Sequence, residues 1–174
     1  MEMDAQETML PGWLRTALIG RRPKRTLVRA AVLLVVSLAV FKYWLLPIRI
    51  EGSSMLPTYK EHGVNFVNRL AYWRHEPRRG DVVAIRLLAG GHVMYLKRIV
   101  GLPGETVAFH QGWLYINGQP VEEPYVKLRG NWEHADEPVG PDQYYVVGDN
   151  RDMGWGEHEK GRPTRDFIVG KVLL

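Results

Sequence analysis

The sequence predicts a mostly β fold in which a single N-terminal transmembrane helix precedes a compact antiparallel, partly barrel-like β domain. Two observations support this prediction. One apolar segment near the N-terminus is long enough to span a membrane, and the chain beyond residue 47 contains short β-like runs separated by turns. With 174 residues, the chain has room for one domain of ordinary size and a short additional segment.

The predicted membrane helix covers residues 27–46, a run of twenty residues with only two charges, one toward each end. About 20 helical residues, rising ~1.5 Å each, span the hydrocarbon core of a bilayer. Arg29 and Lys42 can extend their side chains to opposite membrane surfaces. Pro47 is expected to end the helix.

A cleaved signal peptide and a buried helix are the alternatives for this segment, because its uncharged part is limited to residues 30–41. Against cleavage, the charged stretch ahead of it is unusually long. In addition, the small-x-small triplet at Ser37 and Ala39 falls inside the apolar run instead of after it. We therefore interpret the segment as an uncleaved anchor.

The excess positive charge lies ahead of this helix or within it. Of the formal net charge of +4, residues 1–29 contribute +3 (six basic and three acidic side chains), Lys42 adds one, and residues 43–174 are neutral. The positive-inside rule then predicts a single-pass protein of the plasma membrane, with residues 1–26 cytoplasmic and the β domain, 47–174, extracytoplasmic. The neutral β domain argues against a nucleic-acid partner and leaves the lipid bilayer as the expected one. The oligomeric state is left open.

The composition also excludes several kinds of site. The chain has no cysteine, which excludes disulfide bonds, thiolate metal sites and a cysteine nucleophile. No histidine lies at metal-ligand spacing, so the sequence predicts no metal site. The six histidines, all in loop-like contexts, are His62, His75, His92, His110, His134 and His158.

Eight strands are predicted in the β domain from runs of β-forming residues bounded by turn residues. They cover residues 48–52, 64–67, 81–87, 93–100, 106–109, 113–117, 144–147 and 167–173. Asn117-Gly118 between two such runs is typical of a β-hairpin. The segment 127–141, rich in charge, Gly and Pro, is predicted to be a long surface loop.

Two serines follow the first predicted strand, within residues 52–58. A serine just past a strand end, near Gly and Pro, can expose its hydroxyl and a neighbouring backbone N–H in one concavity, as nucleophilic attack and oxyanion stabilisation require. The alternative is an ordinary turn, since Gly, Ser and Pro are common turn residues. Taken alone, this segment favours the turn.

Lys97 lies in a predicted strand with an apolar face. Alternation puts Val93, Tyr95, Lys97 and Ile99 on one face and Arg98 on the other. A lysine in apolar surroundings has its pKa lowered, and its neutral amine can take a proton from a serine. The alternative is an edge-strand lysine whose ammonium group lies in water. These residues alone do not separate the two.

Two further polar segments stand out, residues 79–83 and 148–152. The first is a turn that leads into a strand. The second is a loop in which Asp and Asn side chains can bond backbone groups. Neither indicates an enzyme by itself.

Together these segments resemble, in order, the motifs of the type I signal peptidase family of serine proteases. The matching motifs are residues 52–58, 80–86, 97–105 and 148–151, and the resemblance extends over residues 48–174. It implies a membrane-bound endopeptidase that cleaves signal (leader) peptides from exported preproteins after small-x-small sites, through an acyl-enzyme and without a cofactor.

The resemblance also implies a role for each matching residue. Ser54 is the nucleophile, its own backbone N–H serves the oxyanion hole, and Lys97 is the general base. Gly52 stands where some members carry a second hydroxyl group. The implied walls of the substrate pockets are Ile48, Ile50, Met55, Tyr95 and Leu96, and the implied structural support comes from Asp149, Asn150 and Arg151.

The chain departs from the family pattern after the fourth motif. A serine that bonds the lysine and an Asp-x-Arg pair fall on Gly154, Gly156 and His158. Glu157 and His158 are a candidate replacement pair. Two alternatives therefore stay open: a dedicated processing peptidase for one cargo, such as a pilus or conjugation subunit, and a non-catalytic membrane-anchored β domain that binds leaders.

Overall fold

The computed structural model describes residues 23–86, 94–158 and 160–173. The chain divides into two compact units, Met1–Val40 and Phe41–Leu174. Most of the basic segment predicted for residues 1–26 lies outside the described residues, and so do the predicted strand ends at residues 87 and 93.

The first described element is an apolar helix. Helix α1 spans Pro23–Ala39 and continues as a π-helical turn over Val40–Trp44. Its large apolar side chains are exposed; Leu33, for example, is 69% exposed. The 21 residues Lys24–Trp44 are long and apolar enough to cross a membrane, a criterion that a signal sequence also meets.

The rest of the described chain is mostly β, and every strand pair within the sheets is antiparallel. One sheet has six strands in the order β1-β2-β10-β3-β4-β9, and the other has four in the order β7-β6-β5-β8. The strands are β1 Leu45–Arg49, β2 Val64–Asn68, β3 Val82–Arg86, β4 Met94–Gly101, β5 Thr106–His110, β6 Trp113–Ile116, β7 Gln119–Val121, β8 His134–Pro138, β9 Tyr145–Val147 and β10 Ile168–Val172. The predicted fold class, a mostly β antiparallel domain after an apolar helix, is confirmed.

The helix and the first strand meet at an earlier residue than predicted. Helical structure ends at Trp44, not at residue 46, because Leu45 and Leu46 already pair with Asn68 and Val67 of β2. Strand β1 correspondingly ends at Arg49.

Strand β8 lies within residues 127–141, which were predicted to form a loop. Its sequence, His-Ala-Asp-Glu-Pro, has no apolar alternation to mark it as a strand. It pairs with β5 all the same, with Phe109 opposite His134 and Thr106 opposite Pro138. The loop prediction is wrong for these five residues, because strand pairing uses the backbone and β8 buries little side-chain surface.

The six-stranded sheet has a hydrophobic core on both faces. Val82 and Ala84 of β3 pack into one cluster of buried side chains, and Val83 and Ile85 pack into another on the opposite face. This explains why β3 is apolar at four consecutive positions. A third cluster, around Phe109 of β5, covers the four-stranded sheet.

Candidate active site

A serine from the turn after β1 lies beside a buried lysine of β4. The Lys97 Nζ lies 2.7 Å from the Ser54 Oγ, within hydrogen-bonding distance. Lys97 is only 3% exposed, and its strand β4 lies between β3 and β9. The edge-strand alternative for Lys97 is therefore excluded. In this geometry a neutral amine can accept the hydroxyl proton directly.

The backbone around Ser54 forms a tight turn after β1. Gly52 has φ of +92°, a conformation that favours glycine, and it begins the turn. The Leu56 N–H then donates to the Ser53 carbonyl at 3.1 Å. The Ser54 N–H donates to no acceptor among the described residues, so it is available to a negatively charged oxygen.

The segment 148–151 binds the backbone carbonyl groups of Ser53 and Ser54 in this turn. The Asn150 N–H donates to the Ser54 carbonyl at 3.0 Å, and the Asn150 Nδ2 donates to the Ser53 carbonyl at 3.1 Å. A Cβ at Gly148 would overlap the Ser54 carbonyl oxygen. Only glycine fits there, because the two backbone segments touch.

A buried ion pair joins all four sequence motifs. The Arg98 guanidinium donates twice to the Asp149 carboxylate, at 2.8 and 2.6 Å, and once to the Gly80 carbonyl at 2.6 Å. The Thr58 hydroxyl donates to the same carboxylate at 2.5 Å. Burial disfavours the charged guanidinium, but the hydrogen bonds and charge of Asp149 outweigh it and raise the pKa of Arg98. Asp149, which was predicted to support the site, thus contacts Arg98 and Thr58.

A second buried pair anchors Arg151, whose side chain is fully buried. Its guanidinium donates to the Glu123 carboxylate at 2.6 and 3.1 Å, and its Nε donates to the Gly148 carbonyl at 2.8 Å. The sequence analysis did not identify Glu123, and nothing in its local pattern distinguishes it from the neighbouring Glu122.

His158 is buried beside the same loop, and the proposed replacement pair with Glu157 is not formed. The Glu157 side chain is exposed, and in the described part of the chain no hydrogen bond or ion pair joins it to His158. Instead, the Gly148 N–H donates to the His158 Nε2 at 2.7 Å. Burial lowers the pKa of His158 to about 3, and the positive charges of Lys97 (when that lysine is protonated), Arg151 and Lys160 act in the same direction.

An open cleft of about 290 Å³ adjoins Ser54 and Lys97. Of the five predicted pocket residues, four line it: Ile50, Met55, Tyr95 and Leu96. The fifth, Ile48, is absent from this lining and packs in the core cluster that also contains Met55.

A larger cleft of about 820 Å³ adjoins the smaller one. Its apolar lining residues include Ile85, Val146 and Phe167. Lys97 lines both clefts, so they meet at the lysine. Within the described ranges, no group of three or more acidic or histidine side chains is arranged to hold a metal ion.

Comparison with known proteins gives one consistent family. The family model described as signal peptidase, peptidase S26, matches residues 24–174. The chain is 33% identical over 132 residues to Signal peptidase I of Leptolyngbya laminosa, a match that covers 72% of this chain and 65% of that relative, slightly less than two thirds of its length. It is 34% identical over 158 residues to Signal peptidase I U of Bacillus subtilis (strain 168), covering 83% of this chain and 80% of the relative.

Among solved structures, a signal peptidase I from Enterococcus faecalis V583 aligns with a TM-score of 0.47 and 26% identity, over 56% of this chain and 97% of that one. The family match covers most of the chain, including all four motifs. This chain therefore belongs to the signal peptidase family, peptidase S26.

Proposed function

We propose that this chain is a membrane-bound serine endopeptidase that cleaves signal (leader) peptides from exported preproteins after small-x-small sites. The 2.7 Å contact between the buried Lys97 Nζ and the Ser54 Oγ carries the proposal. The names of the relatives support the same activity, since the Leptolyngbya laminosa and Bacillus subtilis proteins described above are both called signal peptidase I.

In the first step, the Ser54 Oγ attacks the scissile carbonyl carbon while its proton passes to the neutral Lys97 amine. The new C–O bond displaces the carbonyl π electrons onto the oxygen, which becomes an oxyanion. The Ser54 N–H donates to this oxyanion, since it has no other acceptor among the described residues.

In the second step, the C–N bond breaks and Lys97 returns the proton to the leaving amine, which leaves the leader as an ester on Ser54. A water molecule then attacks the ester carbon and gives a proton to Lys97. The C–O bond to Ser54 breaks, and Lys97 restores the serine hydroxyl. No step needs a metal or an organic cofactor.

The smaller cleft is the proposed site for the leader side of the cut. Ile50, Met55 and Leu96 give it apolar walls next to Ser54. These walls suit the small apolar side chains that the resemblance implies at the first and third positions before the cut. We retain Ile48 as a predicted wall residue for the bound state.

The apolar helix is the proposed anchor in the plasma membrane, with residues 1–26 cytoplasmic and the catalytic domain extracytoplasmic. The support is the charge distribution, +3 ahead of residue 30 and zero beyond residue 42. An anchor that keeps enzyme and preprotein on one membrane raises their effective concentration.

The test is cleavage of a preprotein with an Ala-x-Ala site by the full chain in a membrane. We expect wild type to release the leader and Ser54→Ala, which removes the nucleophile, to abolish cleavage. Lys97→Ala should lower the rate at least ~100-fold, the usual range for loss of a catalytic base. Ser53→Ala is the matched control and should remain active, since the one hydrogen-bond partner of its hydroxyl among the described residues is the Met153 sulfur, at 3.7 Å.

Each contrary result has a distinct meaning. Cleavage that survives Ser54→Ala or Lys97→Ala would refute the Ser54–Lys97 mechanism. Failure of wild type on every leader would favour the leader-binding domain. Cleavage of one leader among many would favour the dedicated processing peptidase.

A further inference from the structure

His158 occupies an unusual position for a histidine close to a lysine. Its side chain is 2% exposed, and its ring packs edge to face against Trp132 with centroids 4.6 Å apart. The side chains whose positive charge disfavours its protonation are Arg151, Lys160 and, when it is protonated, Lys97. Surrounded in this way, the imidazole is neutral at physiological pH.

The hydrogen bond at Nε2 determines the tautomer of this neutral ring. The Gly148 N–H donates to Nε2 at 2.7 Å, so Nε2 carries no proton and the single ring proton is on Nδ1. Nδ1 is buried and has no partner among the described residues. A buried donor without a partner destabilises a fold, so the feature that explains this histidine is its acceptor nitrogen.

The Nε2 acceptor acts on the backbone that contacts the nucleophile. At Gly148, a Cβ would lie 2.7 Å from the His158 Cε1 and would overlap the Ser54 carbonyl oxygen. Two residues later, the Asn150 N–H donates to that same carbonyl at 3.0 Å. The chain of contacts thus runs from His158 through Gly148 to the peptide unit that begins at Ser54.

We propose that His158 is a positioning residue for the peptidase reaction: its Nε2 accepts the Gly148 N–H and so holds the loop at residues 148–150 against the Ser54 carbonyl. This inference rests on the proposed function of Ser54 and Lys97. It explains how a chain with Gly154 and Gly156 in place of the family's polar side chains still orders its nucleophile.

Two neutral polar substitutions test whether His158 must accept the Gly148 N–H or must only fill the space of the ring. In His158→Gln, the terminal amide oxygen reaches the position of Nε2 and can accept from Gly148. In His158→Asn, the shorter side chain places its oxygen near the position of Nδ1 and cannot. His158→Leu is a third variant, which fills the space but has no acceptor. It replaces His158→Asn in the test if that variant folds poorly.

The first measurement is leader cleavage by the full chain in detergent micelles. We expect His158→Gln to keep kcat within about threefold of wild type, and His158→Asn or His158→Leu to lose at least ~10-fold in kcat with KM little changed, because a displacement of about 1 Å is enough to slow catalysis strongly. Equal kcat values in the Gln and Asn variants would overturn the proposal.

The second measurement is hydrogen exchange of the Gly148 amide by NMR, which does not depend on activity. Exchange should be slow in wild type and His158→Gln, and at least ~10-fold faster in His158→Asn. Identical exchange in the two variants would overturn the contact itself. A wild type that cleaves no leader would refute the proposed function, while the exchange data would still decide the role of His158 at Gly148.

Discussion

At the residue scale, the two basic side chains Lys97 and Arg98 lie next to each other in the chain but have different surroundings. Lys97 lies within hydrogen-bonding distance of Ser54, away from bulk water. Arg98, the next residue along β4, lies on the opposite side of the strand, where Asp149 balances its charge. One strand therefore carries two buried basic residues with two different environments.

The buried Arg98–Asp149 pair predicts that removing the charge of Asp149 lowers the stability of the fold strongly. Asp149→Asn removes the charge but keeps the size, which leaves Arg98 as a buried cation without a counter-ion. We expect the free energy of unfolding to fall by about 3–5 kcal/mol, as measured by denaturant unfolding. Glu133→Gln is the control, since its contact with His110 is exposed, and it should change stability by less than ~0.5 kcal/mol. A loss below ~1 kcal/mol for Asp149→Asn would contradict the role of the pair.

The depressed pKa of His158 predicts a dependence of stability on pH. Between pH ~6.5, where an unfolded histidine titrates, and pH about 3, the unfolded chain binds this proton and the folded chain does not. The contribution to stability is therefore present above pH ~6.5 and is lost as the pH falls, by up to ~1.4 kcal/mol per pH unit.

Denaturant unfolding of wild type and His158→Gln at pH 7, ~5.5 and ~4.5 measures this term, since glutamine does not titrate. The stability of wild type should fall more steeply with acid than that of the variant. Parallel curves for the two proteins would show that His158 is protonated at similar pH in both states.

Sequence patterns identified Ser54 and Lys97 as candidates, but the partners of the charged residues near them were hidden. Arg98 and Asp149 are 51 residues apart, and Arg151 and Glu123 are 28 apart. Neither strand alternation nor loop composition indicates which distant charges will meet, because the pairing depends on how β4, β9 and the connecting loops pack. The burial of His158 was missed for the same reason, and its context suggested a surface loop.

At the element scale, the loop after β9 acts as a brace between strands. It receives Arg98 from β4 through Asp149, and it touches the turn after β1 through Gly148 and Asn150. The most constrained point is Gly148, where the two backbones are in contact.

We therefore expect Gly148→Ala to lower kcat/KM at least ~100-fold, because the added methyl group must displace either this loop or Ser54. Gly156→Ala is a matched control in the same region: a Cβ there meets nothing within 4 Å, and activity should stay near wild type. Leader cleavage at several substrate concentrations measures both. Similar activity in the two variants would contradict the close approach at Gly148.

Most strands were predictable, and the exceptions have physical reasons. Apolar alternation and Gly-bounded runs marked β2 to β6, but β8 is charged and has no apolar alternation to reveal its pairing with β5. The boundary between helix and sheet was misplaced because Leu45 and Leu46 are apolar and suit either element. Only their pairing with β2 decides the matter.

At the scale of the whole molecule, the apolar helix and the β domain are predicted to lie in different media. If the charge asymmetry sets the orientation, protease added outside intact cells should digest the domain beyond residue 47 and leave the helix protected. Lysed cells serve as the control for digestion from both sides. Complete protection in intact cells, with digestion only after lysis, would place the domain in the cytoplasm and contradict the predicted orientation.

The position of β10 bears on the order of events during synthesis. This strand, Ile168–Val172, lies between β2 and β3 inside the six-stranded sheet, and its Lys171 Nζ contacts the Asp81 carboxylate at 2.7 Å. The interior of the sheet therefore stays open until residues that are translated about a hundred positions after β2 have emerged from the ribosome. Contacts of such long range form late, so the six-stranded sheet cannot be completed until β10 has been made.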